Sequence, residues 1–563
     1  MTASDDPVAK DASLRTAGSR VDDLIAVYAS ADACAADLLC DRHPEDGVAF
    51  TVVEADLSAR DLSYGELRRE SARFAAALAG LGVGPGDAVA TLMGKSAELV
   101  VALLGIWRRG AVHVPLFTAF APPAIALRLT AARVKVVVVD EDQRAKLMPG
   151  PDLPADRPWQ TVVVGGTQEG AELSFDELLS RHSGDEPQSE AVALGPDGLL
   201  VKLFTSGTTG TPKAVPVPIR ALASFHAYLE FGLDVRPDDV FWNAADPGWA
   251  YGLYYAVLGP LAAGIRSILL HSGFSAPLTW QVMERFEVTN FAAAPTVYRT
   301  LRTRSEQVPD GVRLRRASSA GEPLTPDVVS WSQQFLGVPV RDHYGQTEHG
   351  MMITNAWADG VRAPLRDGSM GKPLPGWSAT VLRDDGDGPA AAGAMGRVAI
   401  RVAGSPLMWF TGYADAPDKT AERFTADGDW YLTGDAGTQD DDGFFYFSAR
   451  DDDVIIMAGY RIGPFDVESV LAQHRSVAEV AVVGVPDELR GEVLEAFVVL
   501  RPEAAASAGP ALAEELRQLV KRRFAAHAYP RAVHFVDRLP KTPSGKIQRF
   551  LLRERRIREV SAR

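Results

Sequence analysis

The stretch FTSGTTGTPKAVPVP, Phe204 to Pro218, combines glycines, four threonines, a serine and one lysine. Gly207 and Gly210 let the backbone approach a ligand closely and turn its N–H groups toward oxyanions. The hydroxyls of Thr205, Ser206, Thr208 and Thr209 add donors, and Lys213 adds a positive charge. That is chemistry for a polyphosphate. The common nucleotide loop requires G-x-x-x-x-G-K-[ST]. Here Thr211 and Pro212 separate Gly210 from Lys213, and Ala214 follows the lysine, so this is a different phosphate loop. A polar surface turn rich in Ser, Thr and Gly is the bland alternative, and the lysine argues against it.

Such a loop needs a rigid base. GLLVKLF puts a buried strand over 199–204, directly before it. Upstream, LSYGELRRESARFAAALAGLGV spaces Leu67, Phe74, Leu78 and Leu81 for an amphipathic helix. DAVATLM reads as a strand, SAELVVALLGIWRRG as a helix, AVHVPL as a strand, APPAIALRLTAARV as a helix and KVVVVD as a buried strand. This alternation implies a mostly parallel sheet wrapped by helices, and a second run covers about 200–350. Beyond 376, WSATVLRDD, GRVAIRVAG and GFFYFSAR are short strands between turns, which suggests a small barrel-like subdomain. After Arg450 a fresh α+β pattern begins. No internal repeat is evident.

The bulk numbers narrow the class. A chain of 563 residues, 46% hydrophobic and 23% charged, reads as a soluble protein of two or more domains. A net charge of -15 argues against a general nucleic-acid binder. Cys34 and Cys40 cannot staple a chain of this size, which fits a reducing cytoplasm. The opening MTASDDPVAKDASLRTAGSR has no apolar signal core and reads as a loose polar tail. The longest apolar run, 249–265, falls short of the roughly 20 residues of a membrane span and is broken by Gly252, Gly259 and Pro260. It reads as a buried segment.

TSGTTGTPK closely resembles the signature loop of the adenylate-forming enzymes: acyl-CoA synthetases, peptide-synthetase adenylation domains and luciferases. Five further segments match in order: AGEPL at 320–324, DHYGQTE at 342–348, YLTGD at 431–435, SARDDDVIIMAGYRIGPFDVES at 448–469 and PKTPSGKIQR at 540–549. The resemblance covers about residues 45–555. It implies an α/β fold, with a large N-terminal domain of two Rossmann-like subdomains and a small β-barrel subdomain, then a small mobile α+β C-terminal domain. The divisions expected are 1–45 as tail and lead-in, 46–450 as the AMP-binding domain and 451–563 as the lid.

The resemblance further implies two half-reactions: a carboxylate attacks the α-phosphate of ATP, and a thiol then displaces AMP from the acyl-adenylate. Lys546 is expected to bridge carboxylate and α-phosphate, with Lys213 and Thr347 assisting. Asp435 is expected to hold the ribose hydroxyls with support from Arg450. Gly321, Glu322 and Pro323, with Asp342, His343, Tyr344, Gly345, Gln346 and Thr347, should wall the adenine and α-phosphate. Glu348 is the candidate magnesium ligand, since Mg²⁺ takes few protein carboxylates. The lid's turning point falls on Asp452. Gly459, flanked by Ala458 and Tyr460, should lie against the CoA pantetheine arm, with Arg461 meeting phosphate or substrate carboxylate. Arg490, Lys521 and the Tyr529-Pro530-Arg531 segment match CoA-binding positions of medium-chain acyl-CoA synthetases, where Ala528 departs from the usual lysine.

Two other departures are Ala214 and Ala449, each in place of a glycine and each safe only at negative φ. HYGQTE, AGEPLTPDV and AGYRIGPFDVES resemble the medium-chain enzymes. Acetate enzymes carry a capping tryptophan where this chain has Gly345, so a longer or aromatic acid should fit, with Trp249 lining the other side of the pocket. The expected co-substrates are ATP and CoA, with Mg²⁺. The alternative acceptor is a carrier-protein thiol or an amine, for which Arg490, Lys521 and Arg531 are the discriminating residues.

Overall fold

A computed structural model of the chain describes all residues except 1–6, 155, 167–169, 171, 206–212, 305–306, 451–452, 458–459, 488–490, 526–527, 543–545 and 562–563. The alternation read over 62–140 builds one sheet. Its strands run in the order Leu173–Ser174, Gln160–Val164, Val134–Asp140, Ala88–Leu92, Val112–Pro115, Leu199–Thr205 and Lys213–Pro218. All pairings are parallel except the last, a hairpin in which Thr205 faces Lys213. The helix Tyr64–Gly80 is capped by Ser63, whose Oγ accepts from the Glu66 amide, and it buries Leu67, Phe74 and Leu78 as their spacing requires. At Gly105 a Cβ would run into Phe74, so glycine lets the helices Tyr64–Gly80 and Ala97–Arg108 approach closely.

The second sheet is larger than a doubly wound unit. Parallel strands Phe241–Asn243, Ser267–His271, Asn290–Ala293, Arg316–Ala320 and Arg341–Gln346 form its centre. The short strands read as a small barrel-like subdomain join the edge of this sheet. Gly350–Thr354 pairs with Ser369–Pro373, which pairs with Phe445–Arg450, followed by Trp430–Gln439, Gly396–Arg401 and Ala379–Leu382. One continuous ladder therefore carries both the DHYGQTE and the YLTGD segments.

The opening of the chain is not a loose tail. Pro7–Tyr28 is a helix. Ala17, Val21, Leu24 and Tyr28 recur at three- and four-residue spacing and are buried, and Arg20 pairs with Glu230. The apolar stretch 249–265 is buried helix, with a wide π-helical turn at Leu253–Leu258. No helix among the described residues is long and apolar enough to cross a membrane.

Beyond Arg450 the antiparallel strands Val477–Asp487 and Gly491–Leu500 lead a separate sheet with its own core, running from Ile455 to Leu552. This tail domain docks on the body through a close approach. A Cβ at Gly463 would strike the Ser448 carbonyl, and the rings of Phe447 and Phe465 lie 6.0 Å apart.

Candidate active site

Register brings the ribose candidates together. In the antiparallel pair Trp430–Gln439 and Phe445–Arg450, Asp435 lies opposite Arg450, so both side chains leave the sheet on one face. The Tyr344 hydroxyl donates to Asp435 Oδ2 at 2.5 Å, and Gln346 Nε2 donates to the same oxygen at 2.7 Å. Strand alternation explains this choice. In Arg341–Gln346, residues Asp342, Tyr344 and Gln346 share one face, while Arg341 and His343 take the other.

The His343 side chain is therefore turned away from that face. It is buried, its Nδ1 hydrogen-bonds with the Tyr228 hydroxyl at 2.7 Å, and burial pushes its imidazole down to about 3. Asp342 faces AGEPL, with the Leu324 amide 3.4 Å from its Oδ2, and burial pushes its carboxyl up to about 8. Gly321 holds a φ of 100°, the left-handed region that favours glycine. Glu322 accepts from Thr296 Oγ1 and Arg299 Nη2.

At the phosphate end, Ser206, Gly207, Thr208, Thr209, Gly210, Thr211 and Pro212 lie outside the described residues. Their flanks are defined. Thr205 and Lys213 face each other across the hairpin, and burial lowers the Lys213 ammonium below the ordinary lysine range, with Arg423 adding to the effect. Ala214 has no positive φ, and neither has Ala449, so both departures from glycine are unstrained.

Glu348 is buried and accepts from the Tyr413 hydroxyl at 2.7 Å. Lys213 Nζ sits over the Tyr413 ring, 4.8 Å from its centre, and the Ala414 amide donates to the Ala214 carbonyl at 2.9 Å. Arg423 acts electrostatically on the Tyr413 phenol and donates to the Thr433 carbonyl at 3.1 Å. Neither Tyr413 nor Arg423 was found from the sequence. Their only signal is the step Gly412-Tyr413 in FTGYADAPDKTAERF, which resembles any turn. Gly434 of YLTGD now has a reason as well: its φ is 73° and a Cβ would strike Arg423 Nη1.

Lys546 comes from the tail domain. The Thr542 amide donates to the Lys546 carbonyl at 2.8 Å, and the Lys546 amide donates to Thr542 Oγ1 at 3.0 Å. Lys546 is solvent-exposed, yet surrounding protein pushes its ammonium below the ordinary lysine range. The charges that act on it belong to the body: Glu322, Asp435 and Glu348 favour the cation and Arg450 opposes it. Lys546 of the tail is thus coupled electrostatically to the residues read as ribose, α-phosphate and metal positions.

The tail's other candidates divide. Lys521 Nζ and the Arg531 guanidinium each lie 4.0 Å from the centre of the Tyr529 ring, and Arg517 joins them at 5.3 Å while its Nε donates to the Pro530 carbonyl. Arg517 was not foreseen. Ala528 is buried in the tail core, where a lysine would be costly. The backbone places Tyr460 opposite Met457 and Arg461 opposite Ile456. Asp452, Ala458, Gly459 and Arg490 lie outside the described residues.

Gly345 and Trp249 are each held by local packing. A Cβ on Gly345 would run into the Gly350 carbonyl and Met351 Cα, so close backbone approach across a bulge requires this glycine. Trp249 packs against Phe117 and Phe120, at 5.3 and 5.5 Å, on the side of the first sheet. Tyrosines unnoticed in the sequence back the DHYGQTE strand: Tyr254 donates to the Thr347 carbonyl at 3.0 Å, the Tyr255 hydroxyl accepts from the Met351 amide at 2.7 Å, and Tyr251 meets Tyr228 at 3.2 Å.

This arrangement has known counterparts. Residues 39–413 match the family model of the AMP-binding enzymes, and residues 466–546 match the AMP-binding enzyme C-terminal domain. The acetyl-coenzyme A synthetase of Bacillus subtilis (strain 168) is 35% identical over 499 residues, covering 87% of this chain and 84% of that protein. The crystal structure of a Brucella canis acyl-CoA synthetase is 42% identical, with a TM-score of 0.73, and covers 97% of this chain and 99% of that one. The anthranilate CoA ligase AuaEII, solved in complex with anthranoyl-AMP, is 27% identical with a TM-score of 0.81, covering 95% and 99%. The chain belongs to the AMP-binding enzyme family of the adenylate-forming superfamily, and is an ATP-dependent acid–thiol ligase.

Proposed function

We propose that the protein activates a medium-chain or aryl carboxylic acid with ATP, releasing pyrophosphate, and transfers the acyl group to the thiol of CoA, releasing AMP. The observation that carries this reading is that Glu322, Asp435, Arg450 and Glu348 of the body all act electrostatically on Lys546 of the tail domain. A cation there neutralises both the attacking carboxylate and the α-phosphate as they are forced together, an interaction strongest in the transition state. Asp435, with Oδ2 held by Tyr344 and Gln346, presents Oδ1 to the ribose hydroxyls. Lys213 faces the β- and γ-phosphates, and Thr347 the α-phosphate.

Among the described residues no group of three or more His, Cys, Asp or Glu side chains could hold a metal ion. Glu348 alone fits Mg²⁺, which fills most of its positions with phosphate and water oxygens. When bound, the ion would screen phosphate charge. In the second half-reaction the CoA sulfur attacks the acyl carbon and AMP leaves. The cluster of Lys521, Arg517 and Arg531 around Tyr529 suits the CoA phosphates. No side chain can project from Gly345 into the acid site without displacing backbone, which supports an uncapped pocket.

The test is pyrophosphate and AMP formation with acids from acetate to dodecanoate and with benzoates, each with and without CoA. Turnover of a medium-chain or aryl acid to a thioester, dependent on CoA, is the expected result. Pyrophosphate release without any thioester would move the acceptor to a carrier protein or an amine.

A further inference from the structure

Tyr413 touches both charged ends of the phosphate site while standing outside every segment that the sequence singled out. Its hydroxyl donates to Glu348 Oε1 at 2.7 Å, and the Lys213 ammonium lies 4.8 Å from the centre of its ring. Glu348 and Lys213 come from different sheets, since Glu348 follows Arg341–Gln346 of the large sheet and Lys213 opens the last strand of the first. The neighbouring residue fixes this placement: the Ala414 amide donates to the Ala214 carbonyl, one residue beyond Lys213.

The segment that carries Tyr413 is itself locked. The Tyr413 amide donates to Thr420 Oγ1 at 2.9 Å, and Thr420 Oγ1 donates to the Ala416 carbonyl at 3.0 Å. The phenol is buried, and its hydroxyl donates to the Glu348 carboxylate. We infer that Tyr413 is a positioning residue for the polyphosphate site, fixing Glu348 with its hydroxyl and Lys213 with its ring. This inference rests on the reading that the site binds ATP.

The two halves of the ring's task separate by substitution. Tyr413→Phe keeps the face under Lys213 and removes the donor to Glu348. Tyr413→Leu removes both. ATP binding is measured by calorimetry, with and without Mg²⁺, alongside thermal unfolding and pyrophosphate exchange. Tyr446→Phe, remote from the site with its hydroxyl on Asp440, serves as the control.

Loss of a hydrogen bond to a buried charge weakens a dependent interaction by about tenfold. Tyr413→Phe should therefore raise the Mg²⁺ concentration for half-maximal ATP binding by about that factor and leave Mg²⁺-free binding intact. Tyr413→Leu should also weaken the Mg²⁺-free complex. Equal ATP affinity and Mg²⁺ dependence in wild type and both variants overturns the inference. So does a loss of binding that merely tracks a lowered melting temperature. Failure of wild-type protein to bind ATP at all would instead defeat the underlying assignment of the site.

Discussion

Lys546 and Gly434 carry sharply different predictions although both sit in short motifs. Lys546 is a tail charge on which the body's ribose and phosphate candidates act, so Lys546→Ala should cut the pyrophosphate-releasing half-reaction by two or more orders of magnitude. Thioester formation from supplied acyl-adenylate should change far less, and the ratio of the two rates is the measurement. Gly434 is a conformational matter. At φ 73°, with Arg423 against its α-carbon, Gly434→Ala meets backbone strain and a displaced guanidinium together. A cost of about 1–3 kcal/mol follows, visible as a lower denaturation midpoint.

At the scale of elements, the strand Val112–Pro115 buries His113 with its Nε2 hydrogen-bonded to Thr91 Oγ1 at 2.9 Å. Burial pushes this imidazole down to about 3. The unfolded chain would take up its proton near pH 6.5. Stability contributed by the neutral ring is thus complete above about pH 6.5 and is lost as pH falls toward 3. His343 and His349, also near 3, act with the same sign. Asp342, raised to about 8, and Asp466, raised to about 7, act with the opposite sign, because the folded state holds their protons. The buried histidines thus lower stability as pH falls below about 6.5, and the raised aspartates oppose them. His113→Gln should flatten that dependence, read from melting curves between pH 4 and 7. A slope unchanged by the substitution would contradict the assignment.

At the scale of the molecule, the tail and body meet where Gly463 lies against Ser448, and the φ of Gly463 is -74°, open to any residue. Gly463→Ala therefore brings no backbone strain and acts only through the contact. It should disfavour this docking of the tail, slow adenylation several-fold and spare thioester formation from supplied adenylate. Equal slowing of both steps would show that the contact serves folding rather than arrangement.

Much of this protein was legible without its structure. Periodicity located the helices and parallel strands of the first sheet, because an amphipathic helix and a buried strand each leave a local signature. The ordered motifs named the chemistry, since phosphate, ribose and carboxylate each demand particular residue types at particular spacing. Other features needed three dimensions. The opening segment read as a polar tail because its apolar face shows only at a few widely spaced positions, and packing against the body settled it as helix. His343 lay inside a motif, yet strand alternation turned it away from the site. Tyr413, Arg423 and Arg517 had no motif to mark them, because their value comes from long-range contacts with Glu348, Lys213 and Tyr529. Local sequence dictates which groups exist and which way a strand alternates. Only the packing of distant segments decides which of those groups meet.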